Sequence, residues 1–183
     1  MIVLVLGGAR SGKSALAEQR VLASAGPLTF VATGQAVAAD GEIDLDMSER
    51  IAAHQTRRDP RFETIEAGPD LAATLRDAPE QPTLIDALGT WVAAHPDFAA
   101  PAFQPRIDDL IDALRSWADE AAVVVIVSDE VGMGVHPETD VGRQFRDVLG
   151  DLNQRVATLA DEVVLIVAGR ALRLETFESW GQP

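Results

Sequence analysis

A chain of 183 residues with 47% hydrophobic side chains carries enough apolar material for one sizeable core, and its length makes a single domain over residues 1–174 the expectation. Acidic residues outnumber basic ones 29 to 15, for a net charge of −14, which excludes a broad nucleic-acid-binding face; the lack of cysteine excludes disulfides, thiolate-bound zinc and thiol catalysis. Apolar runs fall short of the ~20 residues of a membrane helix, and Met1–Leu6 lacks the basic lead-in of a secretory leader, so a cytoplasmic protein with no membrane span and no nucleic-acid partner is expected.

In chain order, Ile2–Leu6 reads as a buried strand and Lys13–Ala25 as a helix. Leu28–Ala32 is a second strand, followed by a small, polar stretch, Gly34–Gly41, with the composition of a mobile loop. Met47–Asp59 has helical spacing and is ended by Pro60. Phe62–Ile65 is a weaker strand, and Asp70–Asp77 a helix. Thr83–Asp86 is a strand entered through Pro79 and Pro82. The stretch His95–Pro105 holds three prolines without periodicity and reads as a surface loop, which makes His95 a surface residue; His136, before Pro137, is read the same way. Gln104–Glu120 and Val141–Ala160 are helices, Val123–Ser128 and Val163–Ala168 strands, and Glu175–Pro183 an appended tail. Strands of Val, Ile and Leu without clean alternation, separated by helices, predict an α/β fold: a mostly parallel central sheet with helices on both faces.

Residues Gly7-Gly8-Ala9-Arg10-Ser11-Gly12-Lys13-Ser14 fit the phosphate-loop pattern G-x-x-x-x-G-K-[ST], between a strand and a helix. Glycines let the backbone curl so that successive N–H groups point inward at phosphate oxygens, beside the helix N-terminus. Lys13 is expected on the β- and γ-phosphates and the Ser14 hydroxyl on Mg²⁺. Lys13 is also the only lysine, the other fourteen basic residues being arginine. A phosphate loop requires an acid at the end of a neighbouring strand to hold the metal's shell. Asp86 fits that place, although an Asp there could equally cap a helix starting at Ala87. Asp129 and Glu130, after Val123–Ser128, compete for the metal role.

Helical spacing puts Arg50, His54, Arg57 and Arg58 on one face, at i, i+4, i+7 and i+8. Positive neighbours favour the neutral, nucleophilic imidazole, and guanidiniums suit a polyphosphate. Such a face could hold a triphosphate while His54 attacks its innermost phosphorus. A solvated basic helix with an incidental histidine accounts for the same spacing.

Taken together, GGARSGKS over Gly7–Ser14 and Arg50-Ile51-x-x-His54-x-x-x-Arg58 resemble the adenosylcobinamide kinase / adenosylcobinamide-phosphate guanylyltransferase family. Ala32-Thr33, Thr64-x-Glu66, Asp86, Glu130-Val131-Gly132-Met133-Gly134 with Pro137-Glu138, Phe145-Arg146-Asp147 and Asn153-Gln154 extend the resemblance to about residue 170. It implies a RecA-like P-loop fold and two reactions. ATP or GTP phosphorylates adenosylcobinamide; GMP then passes from GTP to a histidine, here His54, and on to adenosylcobinamide phosphate. The nucleotide contacts implied are Gly7–Ser14, Ala32, Thr33, Gly34, Arg50, Gln55, Thr56, Arg57, Arg58, Glu66 and Asp86, with Lys13 and His54 catalytic, Mg²⁺ on Ser14 and Asp86, and a homotrimer as the assembly. This chain departs from the pattern at Asp129, where the family often has Asn, at Asp59 before Pro60, at Phe62 in place of Trp, and after Asp86, where Asn-Leu-Leu is missing. Two other readings fit the phosphate loop alone: a small-metabolite kinase without guanylyl transfer, and a RecA-like ATPase.

Overall fold

The computed structural model describes residues 1–34, 58–99, 101–118 and 122–176. Seven strands form one sheet in the order β3-β2-β4-β5-β1-β6-β7. They are β1 (Ile2–Gly7), β2 (Leu28–Ala32), β3 (Phe62–Glu66), β4 (Thr83–Asp86), β5 (Val124–Asp129), β6 (Glu162–Val167) and β7 (Arg170–Leu174). All neighbouring pairs are parallel except β6 and β7. The helices are α1 (Lys13–Leu22), α2 (Leu71–Asp77), α3 (Leu88–Ala93), α4 (Gln104–Ala118) and α5 (Asp140–Leu159). A mostly parallel sheet with helices on both faces is the architecture expected from the sequence.

Continuous apolar strands are explained by cores on both faces of the sheet. Alternate residues point to opposite sides. Val3, Val5, Leu84, Val125 and Val127 meet Ala17 and Val21 of α1. Ile2, Leu4, Ile85, Val124 and Ile126 meet the apolar sides of α2 to α5, with Trp91, Phe103 and Leu110 deep in that layer.

Three elements differ from expectation. The His95–Pro105 stretch does run largely exposed in turns, but His95 is not a surface residue: His95 is 4% and Phe103 1% exposed, and both pack with Trp91 at ring-centroid distances of 5.3 Å. Backbone carbonyls of Trp91 and Pro69 lie 2.8 and 3.0 Å from the two His95 ring nitrogens, and the single N–H of the neutral ring donates to one of them. Prolines do not prevent this, because Pro101 sits in a short 3-10 turn and Pro105 in the first turn of α4, where its missing N–H costs no hydrogen bond. Helix α3, allowed for only in the alternative that Asp86 caps a helix starting at Ala87, has six residues, too few to show periodicity, and its N-cap is Ala87 rather than Asp86. Strand β7 follows a tight turn with positive φ at Ala168 and Gly169, and exposes every residue. The Met47–Asp59 helix falls outside the described residues up to Arg57; Arg58 and Asp59 lie in irregular backbone. Most of the Gly34–Gly41 stretch and of the Glu175–Pro183 tail is outside them too. No helix among the described residues is long and apolar enough to cross a membrane.

One buried polar contact joins the core to the carboxyl edge of the sheet. The Ser128 hydroxyl donates to Asn153 Oδ1 at 2.6 Å, and Asn153 Nδ2 donates to the Asp129 carbonyl at 3.1 Å. Replacing Asn153 by Leu strands both partners, so Asn153→Leu should lower unfolding stability by about 1–3 kcal/mol. Urea denaturation reads this directly; an unchanged midpoint would show the contact dispensable.

Candidate functional site

Parallel strands bring their carboxyl ends to one edge, and the ends of β1 to β5 build a cleft of about 700 Å³ there. Strand register sets the floor. Ala32 pairs with both Glu66 and Asp86, and Gly7 pairs with Asp129. The phosphate-loop residues Ala9, Arg10, Ser11, Gly12, Lys13 and Ser14 wall one side, and Ala32, Gly34, Arg58, Glu66 and Asp86 much of the rest.

Gly12 begins α1 with φ +94, a backbone conformation that would strain any other residue, and puts no side chain over the helix N-terminus. The first-turn N–H groups are left as donors where the helix dipole is positive. The loop is braced from the opposite edge, since the Gly169 N–H in the β6–β7 turn donates to the Ser11 carbonyl at 2.8 Å. The Ser11 hydroxyl is buried and has no hydrogen-bond partner among the described residues.

Ser14 opens α1 and Asp86 ends β4, and the Ser14 hydroxyl donates to Asp86 Oδ1 at 3.3 Å. Hydroxyl and carboxylate oxygens converging beside a phosphate loop are the donor set Mg²⁺ takes when it completes its shell with phosphate and water, so the residues present fit that ion. Lys13 Nζ lies 2.7 Å from Asp129 Oδ1 and 3.4 Å from the Gly8 carbonyl. Asp129, weighed from sequence only as a competing metal ligand, is the ion-pair partner of the lysine.

On the far side, the Arg58 guanidinium lies 3.4 Å from the Phe30 ring centroid, a cation over an aromatic face, and donates to the Thr64 hydroxyl at 2.6 Å. Burial pushes Arg58 below the ordinary arginine range, while Glu18, Asp86 and Glu66 oppose that shift. Phe30 and Thr90 line the cleft without having been anticipated. A single aromatic in an apolar strand carries no functional signal, and Thr90 lies in the unperiodic α3. Thr33 is 1% exposed, its hydroxyl bound to the Ala87 carbonyl and the Thr90 hydroxyl, each at 2.6 Å. Its side chain thus braces the β4–α3 junction, and Gly7, Gly8 and Thr33 are not among the lining residues. Arg61 is held on Asp59 and on the carbonyls of Leu22 and Ser24 at the end of α1. His54, Arg50, Gln55, Thr56 and Arg57 lie outside the described residues.

Among the described residues, three cations (Arg10, Lys13, Arg58) face three carboxylates (Glu66, Asp86, Asp129) in the cleft lining. Backbone N–H groups and the helix dipole add positive potential for a polyphosphate beside these balanced side chains.

A phosphate loop, an acid on a neighbouring strand and a RecA-like sheet define a P-loop nucleotide-binding protein. The solved RadB recombinase shares the fold, with a TM-score of 0.51 at 14% identity over 90% of this chain and 73% of that one. Sequence comparison is more specific. The profile of the cobinamide kinase / cobinamide phosphate guanyltransferase family matches residues 3–174, and the chain belongs to that family. It is 35% identical over 190 aligned positions to the bifunctional adenosylcobalamin biosynthesis protein CobU of Salmonella typhimurium, covering 96% of this chain and all of that protein. Against the bifunctional adenosylcobalamin biosynthesis protein CobP of Pseudomonas aeruginosa the identity is 37% over 175 positions, covering 94% and 96%.

If Ser14 and Asp86 hold the metal, Ser14→Ala and Asp86→Asn should each cut the affinity that Mg²⁺ adds to GTP binding by about tenfold or more. Calorimetric titrations with and without Mg²⁺ measure it. A metal-dependent gain as large as in the parent protein would place the ion elsewhere.

Proposed function

We propose that this protein phosphorylates adenosylcobinamide with a nucleoside triphosphate, ATP or GTP, and then converts adenosylcobinamide phosphate to adenosylcobinamide-GDP with GTP. The reading rests on the Ser14–Asp86 pairing at 3.3 Å under a phosphate loop, in a chain whose family match spans residues 3–174. Residues 1–174 act as one catalytic domain, in a cytoplasmic homotrimer.

In the kinase step the acceptor hydroxyl oxygen bonds to the γ-phosphorus, the bond from that phosphorus to the bridging oxygen breaks, and the hydroxyl proton passes to solvent. Lys13 and the N–H groups of Gly8–Ser14 hold the charge that spreads over the phosphoryl oxygens. Bound Mg²⁺, held by Ser14 and Asp86, would neutralise further phosphate charge. In the transfer step a neutral His54 ring nitrogen attacks the α-phosphorus of GTP, and pyrophosphate leaves. A phosphate oxygen of adenosylcobinamide phosphate then attacks the same phosphorus and the N–P bond breaks. Arg50, Arg57 and Arg58 hold the triphosphate during the attack, with Gln55, Thr56, Ala32, Gly34 and Glu66 completing the nucleotide's surroundings and Thr33 bracing the β4–α3 junction behind them.

Incubation with GTP labelled at the α-phosphate tests the second step. The protein should retain acid-labile, base-stable label, and His54→Ala should retain none. A His54→Ala protein that still labels would remove the histidine from this role, and absence of label in the parent protein would leave a kinase without guanylyl transfer. For the first step, Lys13→Ala should slow phosphorylation by about 10²–10³-fold or more; kinase turnover at the parent rate would refute the assignment of Lys13.

A further inference from the structure

The Lys13–Asp129 ion pair has no place in the reactions as written. Lys13 is 13% and Asp129 30% exposed along their side chains, so water screens the 2.7 Å contact only in part. The carboxylate is fixed from three directions. Its backbone ends β5 in register with Gly7, its carbonyl accepts from Asn153, and α3 packs so closely that a Cβ at Gly89 would lie 2.2 Å from Asp129 Oδ2. Gly89 lies inside a helix, where glycine is a poor helix former, and the space it leaves is taken by this carboxylate.

We propose that Asp129 is a positioning residue that competes with the triphosphate for Lys13, and that Gly89 reserves the carboxylate's place. The proposal rests on the phosphate loop being the triphosphate site. Lys13 is the one lysine in the sequence, and its three donors are drawn by both the carboxylate and the phosphate oxygens. A triphosphate that recruits the ammonium must weaken the bond to Asp129 and also approaches that negative group. Nucleotide affinity is therefore the difference between two claims on one cation, and loss of the carboxylate raises it. A ligand with a single phosphate, which does not reach the lysine, is indifferent.

Because the chain has one lysine, protein labelled with ¹³C at lysine Cε gives a single side-chain NMR signal. Without nucleotide, Asp129→Asn should move that signal towards the position of a free lysine. Gly89→Ala should do the same, because it displaces the carboxylate while leaving it charged and in a better helix-forming context. Adding β,γ-methylene-GTP with Mg²⁺ should bring parent and variant signals to a common position. Both variants should bind this analogue about three- to tenfold more tightly, the scale of a partly exposed ion pair, with GMP affinity unmoved. An Asp129→Asn signal identical to the parent's without nucleotide, or analogue binding no tighter in both variants, overturns the proposal. Should Asp129→Asn fail to fold, Gly89→Ala decides alone: unchanged signal and affinity refute the competition. If the analogue binds neither protein, the proposed function fails, while the nucleotide-free signals still decide whether Asp129 holds Lys13.

Discussion

An ammonium with two anionic claimants is the interaction on which the cleft depends. The chain carries fourteen more negative than positive side chains, yet among the described residues of the cleft lining the count is even. Arginine could not replace the lysine without change. A planar guanidinium fixes its donors in a fork, whereas a compact ammonium on a flexible stem can exchange one oxygen for another by rotating. The strand-end carboxylates hold different partners: Asp86 faces the Ser14 hydroxyl and Asp129 the Lys13 ammonium. Two acids on adjacent strands thus divide the loop between them.

The sheet makes that division possible. Strand β1 lies between β5 and β6, so the loop leaving it passes beside the end of β5. Both strands are buried on both faces and shift only together with their neighbours. Stiffness reaches the edge through Ser128 and Asn153, which tie the end of β5 to α5, and through the β6–β7 turn, whose Gly169 holds the Ser11 carbonyl. Strand β7, exposed along its whole length, acts on the site through that turn. The segment is peripheral to the core but next to the chemistry.

Much of this was legible in the sequence, for reasons that also mark where legibility ended. Strands β1, β2, β4 and β5 announce themselves because burial on two faces demands unbroken Val, Ile and Leu, and β6, mostly half-buried, carries the same kind of run. The phosphate loop is readable because its glycines and lysine answer local backbone needs, and Asp86 because it stands where an apolar run stops. What escaped was decided by tertiary packing. His95 reads as a loop residue because nothing local reveals that Trp91, Phe103 and two carbonyls enclose it. The Arg61 guanidinium is taken up by the carbonyls at the end of α1, which no local pattern reveals. Asp129 was visible as an acid, but its partner depends on which way Lys13 turns. Gly89 carries meaning only once α3 is seen against β5.

The same balance bears on how a cycle with two nucleotide steps would close. In the proposed reactions, diphosphate products or pyrophosphate leave from the place where Lys13 held the triphosphate tail. A site that binds phosphate through a lone cation risks slow release, because withdrawing the anion leaves an unpaired charge at a half-buried position. A carboxylate beside the ammonium changes that endpoint. As phosphate departs, Lys13 passes to Asp129 and no bare cation is formed. The ion pair that weakens substrate binding therefore weakens product binding by the same route, since both compete for one group. For an enzyme that must clear this loop between two different reactions, modest affinity at the lysine is consistent with turnover, and the burial of that one contact sets how modest it is.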